Sequence, residues 1–91
     1  MKVVALVTDL ADRSSIGDGV TFVRRAADVP DDADVVIVDL TRPDALEAIG
    51  RGRRTIAYGP HVATDALAAA ATAGAEAVPR SRFFRDPRAY F

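Results

Sequence analysis

The chain has 91 residues, of which 49% are hydrophobic and 27% charged, and its 12 basic and 13 acidic side chains leave a formal net charge of −1. A chain of this size and balance forms one domain around one core, which excludes a disordered tail and any architecture with a large catalytic cleft of its own. Near-neutrality argues against a dedicated nucleic-acid binder, which carries a basic stripe, and the absence of cysteine excludes disulfides, thiolate nucleophiles and zinc ribbons.

The first apolar run, Val3 to Thr8, is continuous and rich in β-branched residues, as expected of a strand buried on both faces. The polar segment Asp9 to Gly19 has room for a turn or two of helix before Gly17 and Gly19 stop it. Val20 to Val23 reads as a short second strand. Arg24 to Asp34 follows, punctuated by Pro30, Asp31 and Asp32; it is too short for a regular helix and reads as an acidic, solvated stretch. The third strand is the clearest, with Val35-Val36-Ile37-Val38 bracketed by Asp34 and Asp39. Thr41 reads as the cap of the next helix and Pro43 as part of its first turn, with an apolar stripe of Ala45, Leu46 and Ile49 and a stop at Gly50 or Gly52. Arg54 to Tyr58 is the fourth strand, closed by Gly59-Pro60. A helix from about Val62 to Ala73 places Val62, Ala66, Leu67 and Ala70 on one face and ends at Gly74. Ala75 to Val78 is the fifth strand, ended by Pro79. The tail from Ser81 to Phe91 reads as a short last helix that packs Phe83, Phe84, Tyr90 or Phe91 back on the sheet.

Strands alternating with helix-like segments predict an α/β domain with a parallel sheet and right-handed crossovers. Five strands with helices on both faces predict a three-layer, flavodoxin-like sheet of order 2-1-3-4-5 with shortened first and second helices. The connection between the second and third strands is near the minimum length for a crossover, which leaves the placement of the second strand open. After Lys2 the apolar stretch Val3 to Val7 is too short for a signal peptide, and no run approaches the ~18 residues of a membrane span. The expectation is therefore a cytoplasmic protein with no membrane segment.

In open parallel sheets ligands bind beyond the carboxyl ends of the strands. That edge collects Asp9, Asp39, Gly59-Pro60-His61 and Arg80-Ser81, so the candidate pocket residues are Asp9, Asp12 and Asp39, with His61, Arg80 and Ser81 at its rim. Asp9 and Asp39 come from neighbouring strands and repel each other unless a cation or a basic group lies between them. Mg²⁺ takes oxygen ligands of this kind. Arg80 balancing Asp9 and Asp39 in an internal salt bridge satisfies the same requirement with no metal. Asp9 and Asp39 also have plain readings as a helix cap and a strand-end acid beside a helix dipole, and His61 as a surface residue at the head of a helix. Gly17-Asp18-Gly19 precedes a strand rather than a helix and is no dinucleotide fingerprint. The basic groups Arg51-Arg53-Arg54 and Arg80-Arg82-Arg85-Arg88, the latter interleaved with Phe83 and Phe84, read as solvated loop and amphipathic helix rather than as a nucleic-acid groove.

With these residues the chain resembles the receiver domain of bacterial response regulators. Asp39, at the end of Val35-Val36-Ile37-Val38-Asp39-Leu40, matches the phosphate-accepting aspartate, and Asp9 matches one of the two adjacent acids that bind Mg²⁺. Three departures stand out. Thr8-Asp9-Leu10 holds one acid of that pair, with Asp12 three residues on. Gly59-Pro60 stands where a receiver has threonine or serine, and Arg80, after Pro79, stands near the place of the lysine, Lys2 being the only lysine in the chain. The resemblance implies a degenerate receiver-like module that is not an enzyme, holds no cofactor and acts in signalling through a protein partner or as a homodimer. Shortened helices leave apolar sheet surface to be covered elsewhere, and self-association is one way to cover it. Two alternatives are a phosphorylatable single-domain regulator, with Asp39 as acceptor, Asp9 and Asp12 holding Mg²⁺ and Arg80 replacing the lysine, and a small-ligand binder or enzyme at the Asp9/Asp39/His61/Arg80 edge.

Overall fold

Runs of valine and isoleucine pair side by side because each can bury both faces only between neighbours of the same kind. The computed structural model describes residues 1–91, with strands β1 (Val3–Leu6), β2 (Val20–Val23), β3 (Val35–Asp39), β4 (Arg54–Gly59) and β5 (Glu76–Pro79). They form one all-parallel sheet of order β2-β1-β3-β4-β5. The register sets Val3 opposite both Val20 and Val35, Val35 opposite Arg54, and Ile56 opposite Glu76. This is the flavodoxin-like order expected from the sequence, and β2 takes the edge beside β1. Pro79 belongs to β5 rather than ending it, opposite Gly59; β5 is an edge strand, where a missing N–H is tolerated.

The helices are short: α1 (Leu10–Ile16), α2 (Ala45–Ala48), α3 (Thr64–Thr72) and α4 (Arg80–Phe83), with 3-10 turns at Ala26–Asp28 and Pro87–Tyr90. Because side chains alternate along each strand, the sheet has two distinct faces. On one, Val4, Leu6, Val36, Val38 and Ala57 pack against Ala26, Val29 and Ala33, against Ala45 and Ala48 of α2, and against Ala70 of α3. The cover on this face is mostly alanine, which lets single turns of chain lie close to the strands. On the other face Ala5, Ile37, Ile56 and Tyr58 pack against Ile16 of α1 and Phe83 of α4.

Four local expectations are corrected. The stretch from Arg24 to Asp34 is not simply solvated: Ala26, Val29 and Ala33 are buried, because a parallel sheet must be covered where it crosses from β2 to β3. Thr41 does not cap α2; its hydroxyl turns back to Asp39, and α2 begins after Asp44 with no side-chain cap bond. In a helix of one turn the buried positions are Ala45 and Ala48, while Leu46 is exposed. Val62 lies before α3 and is exposed as well.

The tail folds back as expected. Phe83 is fully buried and stacks on Tyr58 with ring centroids 4.9 Å apart, and Phe84 meets the same ring edge-on. Tyr90 and Phe91 pack against this cluster. Arg88 ties the last turn to the end of α1, its Nη1 donating to the carbonyl of Ile16 at 2.9 Å. No helix is long and apolar enough to cross a membrane.

Candidate functional site at the carboxyl edge of the sheet

Asp9 follows β1 and caps α1, its Oδ1 accepting from the amide of Asp12 at 2.9 Å. The cap fixes the first turn of the helix so that Asp12 faces the sheet, while Asp9 stays exposed. The side chain of Asp12 is only 3% exposed. Its Oδ2 accepts from the hydroxyl of Tyr58 at 3.0 Å and from Arg80 Nη1 at 2.7 Å, and Arg80 Nη2 donates to Oδ1. Arg80 therefore grips Asp12 with both terminal nitrogens, the bidentate geometry that suits a planar guanidinium. The guanidinium also lies over the rings of Phe84 and Tyr58, 4.7 Å and 5.8 Å from their centroids.

The electrostatics follow from this geometry. Hydrogen bonding to Arg80 holds the Asp12 carboxyl below its ordinary 3.8, outweighing burial, which acts the other way. Burial, helped by the charges of Asp39 and Asp12, pushes the Tyr58 phenol well above its ordinary value, so it is a permanent donor at neutral pH.

Arg80 was expected to balance Asp9 and Asp39; it pairs with Asp12 instead. The reason is the layer arrangement. Helices α1 and α4 cover the same face, which brings the inner side of α1 against the start of α4. Asp39 points to that same face beside Tyr58, its register neighbour on β4, and is 6% exposed. Its charge is met locally, with Oδ1 accepting from the amide of Thr41 at 3.0 Å and from the Thr41 hydroxyl at 2.8 Å. The other carboxylate oxygen of Asp39 has no protein partner. Nowhere do three or more acidic or histidine side chains gather in a group able to hold a metal ion. His61 and Ser81 are exposed, and neither joins the hydrogen bonds of Asp12, Tyr58 and Arg80. The structure thus brings Asp12 and Arg80 into contact, sets Asp39 nearby, and leaves Asp9, His61 and Ser81 facing solvent.

Two further residues belong to the edge. In the sequence Tyr58 is marked only as a strand residue, and its one signal is that a tyrosine flanked by buried apolar residues needs a partner for its hydroxyl. Arg42, just after β3, reaches across the ends of the strands on the opposite face. Its Nη1 donates to Thr8 Oγ1 and its Nη2 to the carbonyl of Arg24, each at 3.3 Å. Beside it opens a groove of about 210 Å³, lined by Arg42 together with Leu40, Pro43, Leu46, Ala66 and Ala69.

Comparison of the chain with protein-family models, with curated proteins and with solved structures gives no match. What the edge can do must therefore be read from its own chemistry. On the α1/α4 face the guanidinium of Arg80, itself half exposed, is already committed to the buried carboxylate of Asp12.

Proposed function

We propose that this chain is a receiver-like interaction module in which the acceptor-position aspartate is not phosphorylated. The observation that carries this reading is the closed contact of Arg80 with Asp12. A receiver-type transfer to Asp39 needs an acid pair for Mg²⁺ and a cation for the phosphoryl oxygens. Here Asp12, the second acid of the edge, and Arg80, its cation, neutralise each other, and Tyr58 holds the same carboxylate from the sheet side. What the fold then offers a signalling partner, either another protein or a second copy of the chain, is a surface that phosphorylation does not switch.

One observation favours the phosphorylatable alternative: the second oxygen of Asp39 has no protein partner and so is open to attack phosphorus. Intact-mass spectrometry after incubation with acetyl phosphate and Mg²⁺ separates the two readings. The interaction-module reading predicts an unchanged mass for the wild type. A single phosphoryl adduct, formed with release of acetate and abolished by Asp39→Asn, would overturn it and establish a phospho-switch.

A further inference from the structure

The carboxyl edge is divided by the pleat into two halves of opposite character. Asp12, Asp39, Tyr58 and Arg80 belong to the α1/α4 face, whereas Leu40 packs with Leu6 and Val38 on the other face and Arg42, in the turn after β3, bonds to Thr8. In a sheet of order 2-1-3-4-5 the chain reverses its direction of winding between β1 and β3, and ligands of such sheets sit in the crevice above that point. Arg42 bridges this crevice. It sits in the turn three residues after β3, and its guanidinium reaches Thr8, just beyond β1, and the Arg24 carbonyl, just beyond β2.

Three features of Arg42 point to an anion. It makes no salt bridge, since the ion pairs of the fold are Lys2–Asp32, Arg25–Asp28, Arg54–Glu76 and Arg80–Asp12. Its two bonds, to a neutral hydroxyl and a neutral carbonyl, are both long. Its Nε is buried and has no acceptor at all, a rare condition for a guanidinium donor. Asp44, two residues on, does not answer it: one of its oxygens accepts from the amide of Ala26 and the other is itself buried without a donor. The groove next to Arg42 is otherwise apolar, and at about 210 Å³ it is smaller than the pockets that hold drug-sized ligands.

We propose that the groove between α2 and α3 is a binding site for a free small organic anion, with a compact apolar body against Leu40, Pro43, Leu46, Ala66 and Ala69 and one carboxylate or phosphoryl group on Arg42. The site is separate from the Asp12–Arg80 contact and independent of the interaction-module reading, since it uses neither Asp39 nor any partner protein.

The test is a ¹⁵N-resolved NMR titration of the full chain with 3-phenylpropionate and, separately, with its neutral amide. Expected are saturable shifts confined to residues 40–46 and 66–69, with the amide binding about tenfold more weakly for want of the charge-assisted bond. Arg42→Met should lose the acid's preference over the amide. Leu46→Asp, which alters an exposed side chain at the groove, should weaken the acid while leaving the fold intact, and so provides a check if Arg42→Met unfolds. Absence of saturable shifts up to about 10 mM would overturn the proposal, as would equal binding of acid and amide or shifts centred on Asp12 and Arg80.

Discussion

Tyr58, Asp12 and Arg80 form a chain of dependence in which each member matters for a different reason. Tyr58 is fully buried, so removing its hydroxyl with Tyr58→Phe deletes one hydrogen bond and costs about 1 kcal/mol. Asp12→Ala removes the only partner of that buried hydroxyl and costs more, about 1–3 kcal/mol. Arg80 is 47% exposed but Asp12 only 3%, so Arg80→Ala leaves a buried carboxylate held by the Tyr58 hydroxyl alone and costs more than Tyr58→Phe. Urea unfolding at neutral pH should rank the midpoints wild type, Tyr58→Phe, Asp12→Ala; an Asp12→Ala midpoint at or above that of Tyr58→Phe would contradict this assignment. The Asp12–Arg80 contact was hidden in the sequence for a physical reason. Asp9 and Asp12 stand three residues apart at the start of α1, and the short segment Leu10–Ile16 has no continuous apolar stripe to say which of the two turns inward; that depends on which face α4 covers. A buried tyrosine needing a partner was the one readable hint.

Strands and their covers differ in how much of themselves they disclose. The β-branched runs are unambiguous because burial on both faces selects for them along their whole length. The covers are alanines spaced over single turns, a pattern too short for a helical period to emerge. So Pro30 and its neighbouring acids mask the buried Ala26, Val29 and Ala33, and a helical period places Leu46 and Val62 on faces that elements this short do not possess. The same closeness of cover and sheet makes the turn after α2 sensitive to added volume. Gly52 has φ +107°, and a Cβ there would lie 2.8 Å from the carbonyl oxygen of Ala33 and 2.9 Å from Val36 Cγ2. Gly50, at φ +94°, has nothing near it. Gly50→Ala is therefore expected to carry only the backbone strain of about 1–2 kcal/mol, and Gly52→Ala that strain plus a clash with the core. Thermal melts of the two variants should show the larger loss at Gly52, and equal losses would mean that the chain over Ala33 yields freely.

At the scale of the whole molecule, the sequence yields the sheet order and the tail's return to the core, while the ion pair that closes the edge depends on the three-dimensional arrangement of α1, β4 and α4. The tail is part of the core. Phe83 has no exposed surface, and truncating such a side chain to alanine costs about 3–5 kcal/mol against a total of about 5–15 kcal/mol for a domain of ordinary stability. Deleting residues 83–91 is expected to abolish the cooperative melt seen by circular dichroism, and an unchanged melting temperature would show the tail to be an appendage. The central claim is that Asp12 is bound to Arg80 and so takes no part in chemistry at the edge. A carboxyl held below its unfolded value stabilises the fold fully above about pH 4 and loses that contribution as pH falls through the folded value, because there the unfolded chain binds the proton first. The most direct test follows the Asp12 side-chain carboxyl carbon by NMR as the pH is lowered. The account predicts a midpoint below 3.8 that moves up in Arg80→Gln; a midpoint at or above 3.8 in the wild type would contradict it.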